Sequence, residues 1–138
     1  MIRQVAALPY RVRKKGKQVD VLLVTSRETK RWVVPKGNLD AKMSPHAGAA
    51  DEAAEEAGVR GRISKSPIGR YVYLKRLASG REVKTKVVLF PLRVEIELDE
   101  YKEKAERERC WFPAATAASL VDEPDLAKLI AGFRPVEK

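Results

Sequence analysis

Cysteine and histidine are almost absent from this sequence. Its 138 residues contain one of each, Cys110 and His46. A lone cysteine forms no internal disulfide, and His46 has no neighbouring motif that would make it a catalyst. No apolar run approaches the ~20 residues of a membrane helix, and no charged-then-apolar signal segment opens the chain. We therefore expect a protein of the reducing cytoplasm without a membrane partner.

Linkers, internal repeats and low-complexity tracts are also missing. No stretch rich in proline, glycine and serine divides the chain. A chain of this length buries roughly 68–70% of its unfolded surface. Hydrophobic residues make up 44% of the composition, which is too many for a disordered chain. We predict one globular domain over residues 1–138.

Negative charge is in short supply. Lysine and arginine number 28 against 19 aspartates and glutamates, which gives a net charge of +9. Residues 1–50 hold 11 basic and 3 acidic side chains, and residues 59–93 hold 10 basic side chains and one acid. Such an excess favours polyanionic partners such as nucleic acids or polyphosphates.

The distribution of β-branched and aromatic residues predicts a mixed α/β or α+β domain. Strands are expected over residues 4–11, 19–26, 31–34, 68–76 and 84–98, the last two joined by a hairpin at 78–80. A helix is expected to begin at Ser44, with Pro45 in its first turn, and to end at Gly58. Two short helices separated at Pro124 follow near the end of the sequence.

The central predicted helix concentrates carboxylates without offsetting cations. Four of them fall within six positions, namely Asp51, Glu52, Glu55 and Glu56. Like-charge pairs three or four residues apart cost an isolated helix roughly 0.2–0.5 kcal/mol each, so folding alone does not account for them. An opposite stripe of alanines, at positions 47, 50, 54 and 57, is expected to be buried. Either the acidic face is solvated, or it holds a hard cation, since Mg²⁺ binds one or two carboxylates together with phosphate oxygens.

Residues 37–59, GNLDAKMSPHAGAADEAAEEAGV, resemble the Nudix box. That pattern is Gly, five residues, Glu, seven residues, then Arg-Glu-apolar-any-Glu-Glu-any-Gly-apolar. The matching positions are Gly37, Glu52, Ala53, Glu55, Glu56, Gly58 and Val59. The segments AALPYR, RWVVPKG, IGRY and RERCWF resemble the diphosphoinositol polyphosphate and diadenosine polyphosphate hydrolase branch of the family. The resemblance implies a mixed β-sheet sandwiched between helices, with the box as a loop-helix-loop element.

The resemblance also implies a chemistry, which is hydrolysis of a phosphoanhydride bond in a nucleotide- or inositol-derived polyphosphate with Mg²⁺ or Mn²⁺. Carried over by position, Glu52 and Glu56 are expected to bind the metal. Glu55 is a further ligand or a base, and the Gly37 carbonyl is a ligand from the loop. The general base is not fixed within the family. Relatives of this branch often place an acid where Glu103 stands, so Glu103 is a candidate base, with a solvated mixed-charge stretch as the alternative.

Two positions of the box depart from the family pattern. Met43 stands where the pattern has glutamate, and Asp51 stands where it has arginine. In the family, the arginine orients neighbouring carboxylates and the glutamate supports the same network. The absence of both therefore removes one interacting pair. Asp51 adds a fourth carboxylate, which is expected to raise the pKa values of its neighbours when no metal is bound. A module that binds polyphosphate or RNA without hydrolysing it is therefore the alternative function.

Basic residues outside the acidic cluster predict a highly charged small-molecule substrate, because a compact polyphosphate needs several cationic contacts at once. The predicted substrate-binding residues are Arg11, Lys36, Arg70, Lys84 and Lys86. Lys36 directly precedes the box, and Arg11 comes before a turn predicted at Gly16. Lys84 and Lys86 are two residues apart and so share one strand face. RNA is the competing partner, since backbone phosphates require only a positive surface.

Overall fold

A mixed β-sheet forms the centre of the protein. The computed structural model describes residues 1–14 and 17–135, and within them the sheet has eight strands. The strands are β1 (Ile2–Val12), β2 (Val19–Thr25), β3 (Trp32–Val33), β4 (Lys36–Asn38), β5 (Val59–Ile63), β6 (Gly69–Arg76), β7 (Glu82–Glu97) and β8 (Arg109–Pro113). The helices are α1 (Pro45–Glu52), α2 (Ala114–Leu120) and α3 (Pro124–Ala131), and α1 continues into a π-helical turn, Ala53–Ala57. None of these helices is long and apolar enough to cross a membrane.

The two central strands, β1 and β7, run parallel, with Ile2 beside Thr85 and Tyr10 beside Arg93. All other strand pairs in the sheet, within the described residues, are antiparallel. On the side of β1 away from β7, β4 pairs with the first half of β1 and β2 pairs with its second half. The sheet therefore splits into two branches on this side. Lys36, the first residue of β4, lies where the two branches separate.

Helices cover both faces of the sheet because side chains alternate along its strands. Val5 and Ala7 of β1 pack against the buried alanines of α1 and its π-helical turn. Ala6 and Leu8 point to the opposite face and pack in a second cluster with residues of α2 and α3 such as Leu126. The predicted α+β architecture, a mixed sheet sandwiched between helices, is confirmed.

All five predicted strands are present, as β1, β2, β3, β6 and β7, and the predicted hairpin joins β6 to β7. Three short strands were not predicted, namely β4, β5 and β8. Strand β5 has the sequence VRGRI and forms through its pairing with the second half of β7, where Ile63 lies beside Leu92. The turn predicted at Gly16 lies outside the described residues.

The helix predicted between Ser44 and Gly58 is confirmed, and Pro45 occupies its first turn. Ser44 is the N-cap by position but makes no side-chain capping hydrogen bond. Gly58 ends the helix in the left-handed conformation, with φ at 65°, which glycine adopts without strain.

The buried stripe of this helix differs from the expected one. The fully buried alanines are Ala49, Ala53 and Ala57, whereas the alanines at 47, 50 and 54 are only partly buried. The buried alanines are spaced by four residues, and they are the ones that pack against Val5 and Ala7 of β1. The acidic residues Glu52 and Glu56 share that spacing and stay on one side together.

Candidate active site

Two carboxylates of the box, Glu52 and Glu56, lie together where the helix passes the loop that precedes it. Their side chains are within hydrogen-bonding reach of each other. Gly37 in β4 lies directly against Glu52, and a Cβ atom at this position would overlap the Glu52 carboxylate. Glycine is therefore required here for the close approach of loop and helix.

Glu56 is the buried member of this pair, with 5% of its surface exposed. Its Oε1 accepts a hydrogen bond from the Lys36 backbone N–H at 3.3 Å, and its Oε2 lies 3.8 Å from Nη2 of Arg107. Burial raises the pKa of Glu56 to about 8 against the opposing charge of Arg107, and the neighbouring Glu52 adds to the rise. Burial also raises the pKa of Glu52. Such a pair is stabilised when positive charge enters the site.

Arg107 connects Glu56 to a second acid, Glu103. The Arg107 Nε donates to Glu103 Oε1 at 2.9 Å, and its Nη1 donates to the carbonyl of Thr25 at 3.1 Å. The side chains of Arg107 and Glu103 are 10% and 13% exposed. Because ionic hydrogen bonds of this length are directional, Arg107 orients the Glu103 carboxylate beside Glu56.

The loop between β7 and β8 is fixed to the end of the helix. The Glu103 N–H donates to the Glu55 carbonyl at 2.9 Å, and Arg109 Nη1 donates to the Gly58 carbonyl at 3.2 Å. The Tyr101 ring packs so closely on Gly58 that a Cβ atom there would overlap it. These contacts satisfy carbonyls that a helix end leaves unpaired, and they place Glu103 at the site.

Glu55 points to a different neighbour from the other box acids. Its Oε1 lies 3.4 Å from Lys102 Nζ, and its side chain is 40% exposed. The structure thus brings Glu56 and Glu103 to Arg107, with Glu52 beside Glu56, whereas the Glu55 side chain pairs with Lys102. The role of Glu55 as a ligand or base stays a prediction.

A cleft of about 460 Å³ opens beside Glu56. Lys36 and Tyr73 both line it, with the Lys36 Nζ 5.3 Å from the centre of the Tyr73 ring. Burial lowers the pKa of Lys36, and the charge of Glu56 opposes that shift. The cationic side chains that line the cleft are Arg27, Arg31, Lys36, Lys75, Arg76 and Arg107. This cleft favours a dense anionic ligand next to the carboxylates.

Arg11 lies away from this cleft although it was predicted to bind substrate. Its Nε is 3.1 Å from Asp20 Oδ2, and its guanidinium stacks 4.3 Å from the centre of the Trp111 ring. Asp20 is fully buried and also pairs with Arg13 at 2.7 Å. Arg11 therefore serves to neutralise a buried carboxylate in the sheet, and among the predicted substrate-binding residues only Lys36 lines the cleft.

Arg70, Lys84 and Lys86 lie on the opposite face of the sheet from Tyr73. In the β6–β7 pairing, Tyr73 is beside Thr85, so the alternating residues Lys84 and Lys86 point the other way. Arg70 and Lys86 line a separate cavity. The structure does not bring these three residues to the carboxylates.

Comparison with protein families matches residues 2–133 to the NUDIX domain. The chain belongs to the Nudix family. Nudix hydrolase 12, mitochondrial, of Arabidopsis thaliana is 30% identical over 106 residues, which cover 75% of this chain and 52% of that protein. Diphosphoinositol polyphosphate phosphohydrolase 3-alpha of Mus musculus is 30% identical over 105 residues, which cover 74% of this chain and 60% of that protein. The chain thus spans between half and two thirds of the length of these relatives.

Solved structures confirm the Nudix fold. Caenorhabditis elegans Ap4A hydrolase, in a binary complex, superimposes with a TM-score of 0.67 at 20% identity, covering 96% of this chain and all of that one. The NUDIX domain of Shewanella oneidensis NrtR, complexed with ADP ribose, gives a TM-score of 0.67 at 18% identity, covering 95% of this chain and 86% of that one. The names of Arabidopsis relatives include mitochondrial and chloroplastic locations, and the cytoplasmic location expected here stays a prediction.

The Nudix box of this chain presents hard oxygen donors. Among residues 1–14 and 17–135, no three acidic, histidine or cysteine side chains are gathered as a ready metal cage. Glu52 and Glu56 supply two carboxylates, and Gly37 lets the loop backbone approach them. Mg²⁺ and Mn²⁺ suit carboxylate and carbonyl ligands, and Mg²⁺ commonly uses one or two carboxylates plus substrate phosphates. The residues present therefore fit a divalent cation whose remaining ligands come from substrate and water.

Arg107 was not among the predicted site residues, and neither were the cleft residues Arg27, Arg31, Lys75 and Arg76. The family pattern has an arginine at the position of Asp51, which is exposed on this helix. Here a guanidinium reaches the carboxylates from outside the box, 51 residues further along the chain than Glu56. The available signal was the segment RERCWF, whose first residue is Arg107.

The contact between Gly37 and Glu52 predicts the effect of Gly37→Ala. A methyl group there must displace the Glu52 carboxylate or the loop. We expect Mn²⁺ affinity to fall about 10–100-fold, the range seen when the support of a metal ligand is removed. Titration of Mn²⁺ by electron paramagnetic resonance measures this directly. Gly48→Ala is the matched control, because its added methyl meets only a Val5 methyl at 3.3 Å. Equal Mn²⁺ affinities in the two variants would contradict the prediction.

Proposed function

We propose that this Nudix chain hydrolyses a phosphoanhydride bond in a nucleotide- or inositol-derived polyphosphate, with Mg²⁺ or Mn²⁺ as cofactor. The observation that carries the proposal is the close pair of carboxylates, Glu52 against Gly37 and the buried Glu56, beside a cleft lined by six cationic side chains. The pair favours a cation and the cleft favours phosphates. A metal-bound polyphosphate satisfies both charges together.

The relatives support the same class of substrate. The mouse relative is named as a diphosphoinositol polyphosphate phosphohydrolase, and the C. elegans structure is that of an Ap4A hydrolase. The basic cleft agrees with a substrate of this kind, because several phosphates need several cationic contacts. RNA is the alternative polyanion.

Three groups of the box are assigned to the metal. Glu52 and Glu56 provide carboxylate oxygens, and the Gly37 carbonyl provides an oxygen from the loop. When bound, the metal neutralises phosphate charge and lowers the pKa of a coordinated water. The Lys36 N–H and Arg107 hold the Glu56 carboxylate in place through their contacts at 3.3 and 3.8 Å.

Glu103 is the proposed general base. It is largely buried, it lies on the loop docked against Glu55, and its Oε1 is held by Arg107 at 2.9 Å. A carboxylate fixed in this way can receive a proton from the attacking water without first reorienting. Glu55 is the alternative base, although it is more exposed and lies near Lys102.

The cations of the cleft are assigned to the substrate phosphates. Arg31 is held by Glu123, with Nη2 2.6 Å from Oε2, and Arg27 is held by Glu106 at 3.2 Å. Lys36 lies deeper, and burial lowers its pKa. A cation that has lost much of its water is stabilised strongly by a phosphate partner, since charges interact more strongly at low dielectric.

A module that binds polyphosphate or RNA without hydrolysing it is the second candidate. The departures at Met43 and Asp51 favour this reading, because the chain lacks the acid and the arginine of the family pattern. Arg107 partly compensates by supplying a guanidinium to Glu56.

Chromatographic separation of the products formed from a substrate panel tests the proposal, because hydrolysis of an internal phosphoanhydride yields two phosphorylated products and no free phosphate. The panel contains dinucleoside polyphosphates, diphosphoinositol phosphates, a nucleoside diphosphate sugar and capped RNA, each with Mg²⁺, with Mn²⁺ and with a chelator. We expect metal-dependent turnover of at least one small polyphosphate and none with the chelator. Binding of a polyphosphate without turnover under any metal would select the non-hydrolysing module, and turnover of capped RNA alone would move the substrate class to RNA.

A further inference from the structure

A second basic cavity lies on the α1 face of the sheet, away from the cleft. Its volume is about 300 Å³, and Arg3, Arg70 and Lys86 contribute its three cationic side chains. In the sheet, Arg3 of β1 is directly beside Lys86 of β7, and Lys86 is directly beside Val72 of β6. Arg70 is two residues before Val72 and so points to the same face. Three neighbouring strands, about 4.8 Å apart, therefore bring three cations to one place.

No acidic side chain lines this cavity. Within residues 1–14 and 17–135, none of the ion pairs includes Arg3, Arg70 or Lys86. By contrast, Arg11, Arg27, Arg31 and Arg107 each have a carboxylate partner. Like charges placed side by side across strands are destabilising, so packing of the sheet does not explain the arrangement.

The remaining surroundings of the cavity have the same electrostatic sign. Helix α1 begins here, since Pro45 lines the cavity, and the first turn of the helix contains no acidic residue. The positive end of the helix dipole therefore adds to the field of the three side chains. Leu39, Val5 and Val88 form the apolar part of the wall.

We propose that this cavity is a second anion site that binds the phosphate or pyrophosphate group of a small ligand. It is distinct from the hydrolytic cleft, because no residue lines both, and because Arg3, Arg70 and Lys86 lie on the opposite face of the sheet from the cleft residue Tyr73. Three cations can give one phosphate several charge-assisted hydrogen bonds. The site does not depend on the hydrolytic activity, and it gives Arg70 and Lys86 a ligand other than the one bound at the carboxylates.

Titration of the full chain with inorganic pyrophosphate, followed by ¹H–¹⁵N NMR without metal and at fixed salt, tests the site. The amides of Arg3 and Lys86 report the cavity, and the amides of Arg31 and Lys36 report the cleft. We expect the two groups of amides to give separate dissociation constants. The double variant Arg3→Gln with Lys86→Gln should weaken binding at the cavity amides at least tenfold and change binding at the cleft amides less than twofold.

The matched control is Arg60→Gln with Arg62→Gln, which removes the same two charges from exposed positions of β5. It should change pyrophosphate binding at the cavity less than twofold. Equal weakening in the control and the cavity variant, or cavity amides that do not respond, would overturn the proposal. Tighter binding of a short single-stranded RNA than of pyrophosphate at these amides would overturn the small-ligand assignment. Should the double variant misfold, Arg70→Gln on β6 gives the same test.

Discussion

Replacing Glu56 with glutamine is expected to lower turnover by about 10³-fold or more while the protein stays folded. Glutamine keeps the size of the side chain and can still accept the Lys36 N–H, so the local packing is retained. What is lost is the negative charge that would hold a cation beside the substrate. Loss of one electrostatic contact that acts in the transition state costs about 10²–10³ in rate, and a direct metal contact costs more.

The stability of the metal-free protein should respond in the opposite direction. Burial raises the Glu56 pKa from 4.5 to about 8, so the folded chain binds a proton more tightly than the unfolded chain between these values. Stability from this group is therefore greatest below about pH 4.5, decreases as the pH rises through the interval, and levels off above pH 8. Glu56→Gln removes this decrease, and at pH 8 its melting temperature without metal should equal or exceed that of the wild type.

The affinity for metal should also depend on pH through Glu56. A proton and a metal compete for Glu56, so the Mn²⁺ affinity of the wild-type protein should rise by up to about tenfold per pH unit as the pH approaches 8. In Glu56→Gln this dependence should weaken, because only Glu52 then exchanges a proton for the metal. Asp51→Asn is the matched control, because it removes one exposed carboxylate from the same helix, and it should change turnover less than threefold. Near-wild-type activity of purified Glu56→Gln would refute the metal-ligand assignment.

The sequence predicted the elements that local patterns determine. Five strands were predictable because β-branched residues mark them, and the helix was predictable because Pro45 and Gly58 mark its two ends. Strands β4, β5 and β8, with sequences KGN, VRGRI and RCWFP, carry no such run of β-branched residues. They form by pairing with β1, β7 and β2, which are distant in sequence, and residue patterns do not report such contacts.

The candidate site likewise contains features that local spacing predicts and features that depend on contacts between distant segments. Helical spacing correctly paired Glu52 with Glu56, because residues four apart are neighbours on any helix. Spacing also correctly placed Lys84 and Lys86 on a common face, but which face of the sheet that would be depends on the parallel pairing of β7 with β1. Arg107 was missed for a related reason, since its contact with Glu56 requires a loop to fold back over the helix end.

Glu103→Gln is expected to lower kcat by about 10²–10⁴ with little change in KM. Removal of a group that accepts a proton only in the transition state affects the chemical step and leaves ground-state binding intact. The structure makes this substitution informative, because Glu103 has a second function as the partner of Arg107 at 2.9 Å. A glutamine Oε1 can still accept that hydrogen bond, so Glu103→Gln removes the base but keeps the orientation of Arg107.

Two further variants separate the two functions of Glu103. Glu103→Ala removes both the base and the support of Arg107, so it should lower kcat at least as far as Glu103→Gln and also disturb the position of Glu56 through the 3.8 Å contact. Mn²⁺ affinity should therefore change in Glu103→Ala and stay within threefold of wild type in Glu103→Gln. Glu55→Gln tests the competing base and should cost less than tenfold, because Glu55 is 40% exposed and lies near Lys102. A loss below tenfold in Glu103→Gln, together with a larger loss in Glu55→Gln, would transfer the base role to Glu55, since only the group that takes the proton loses it on amidation.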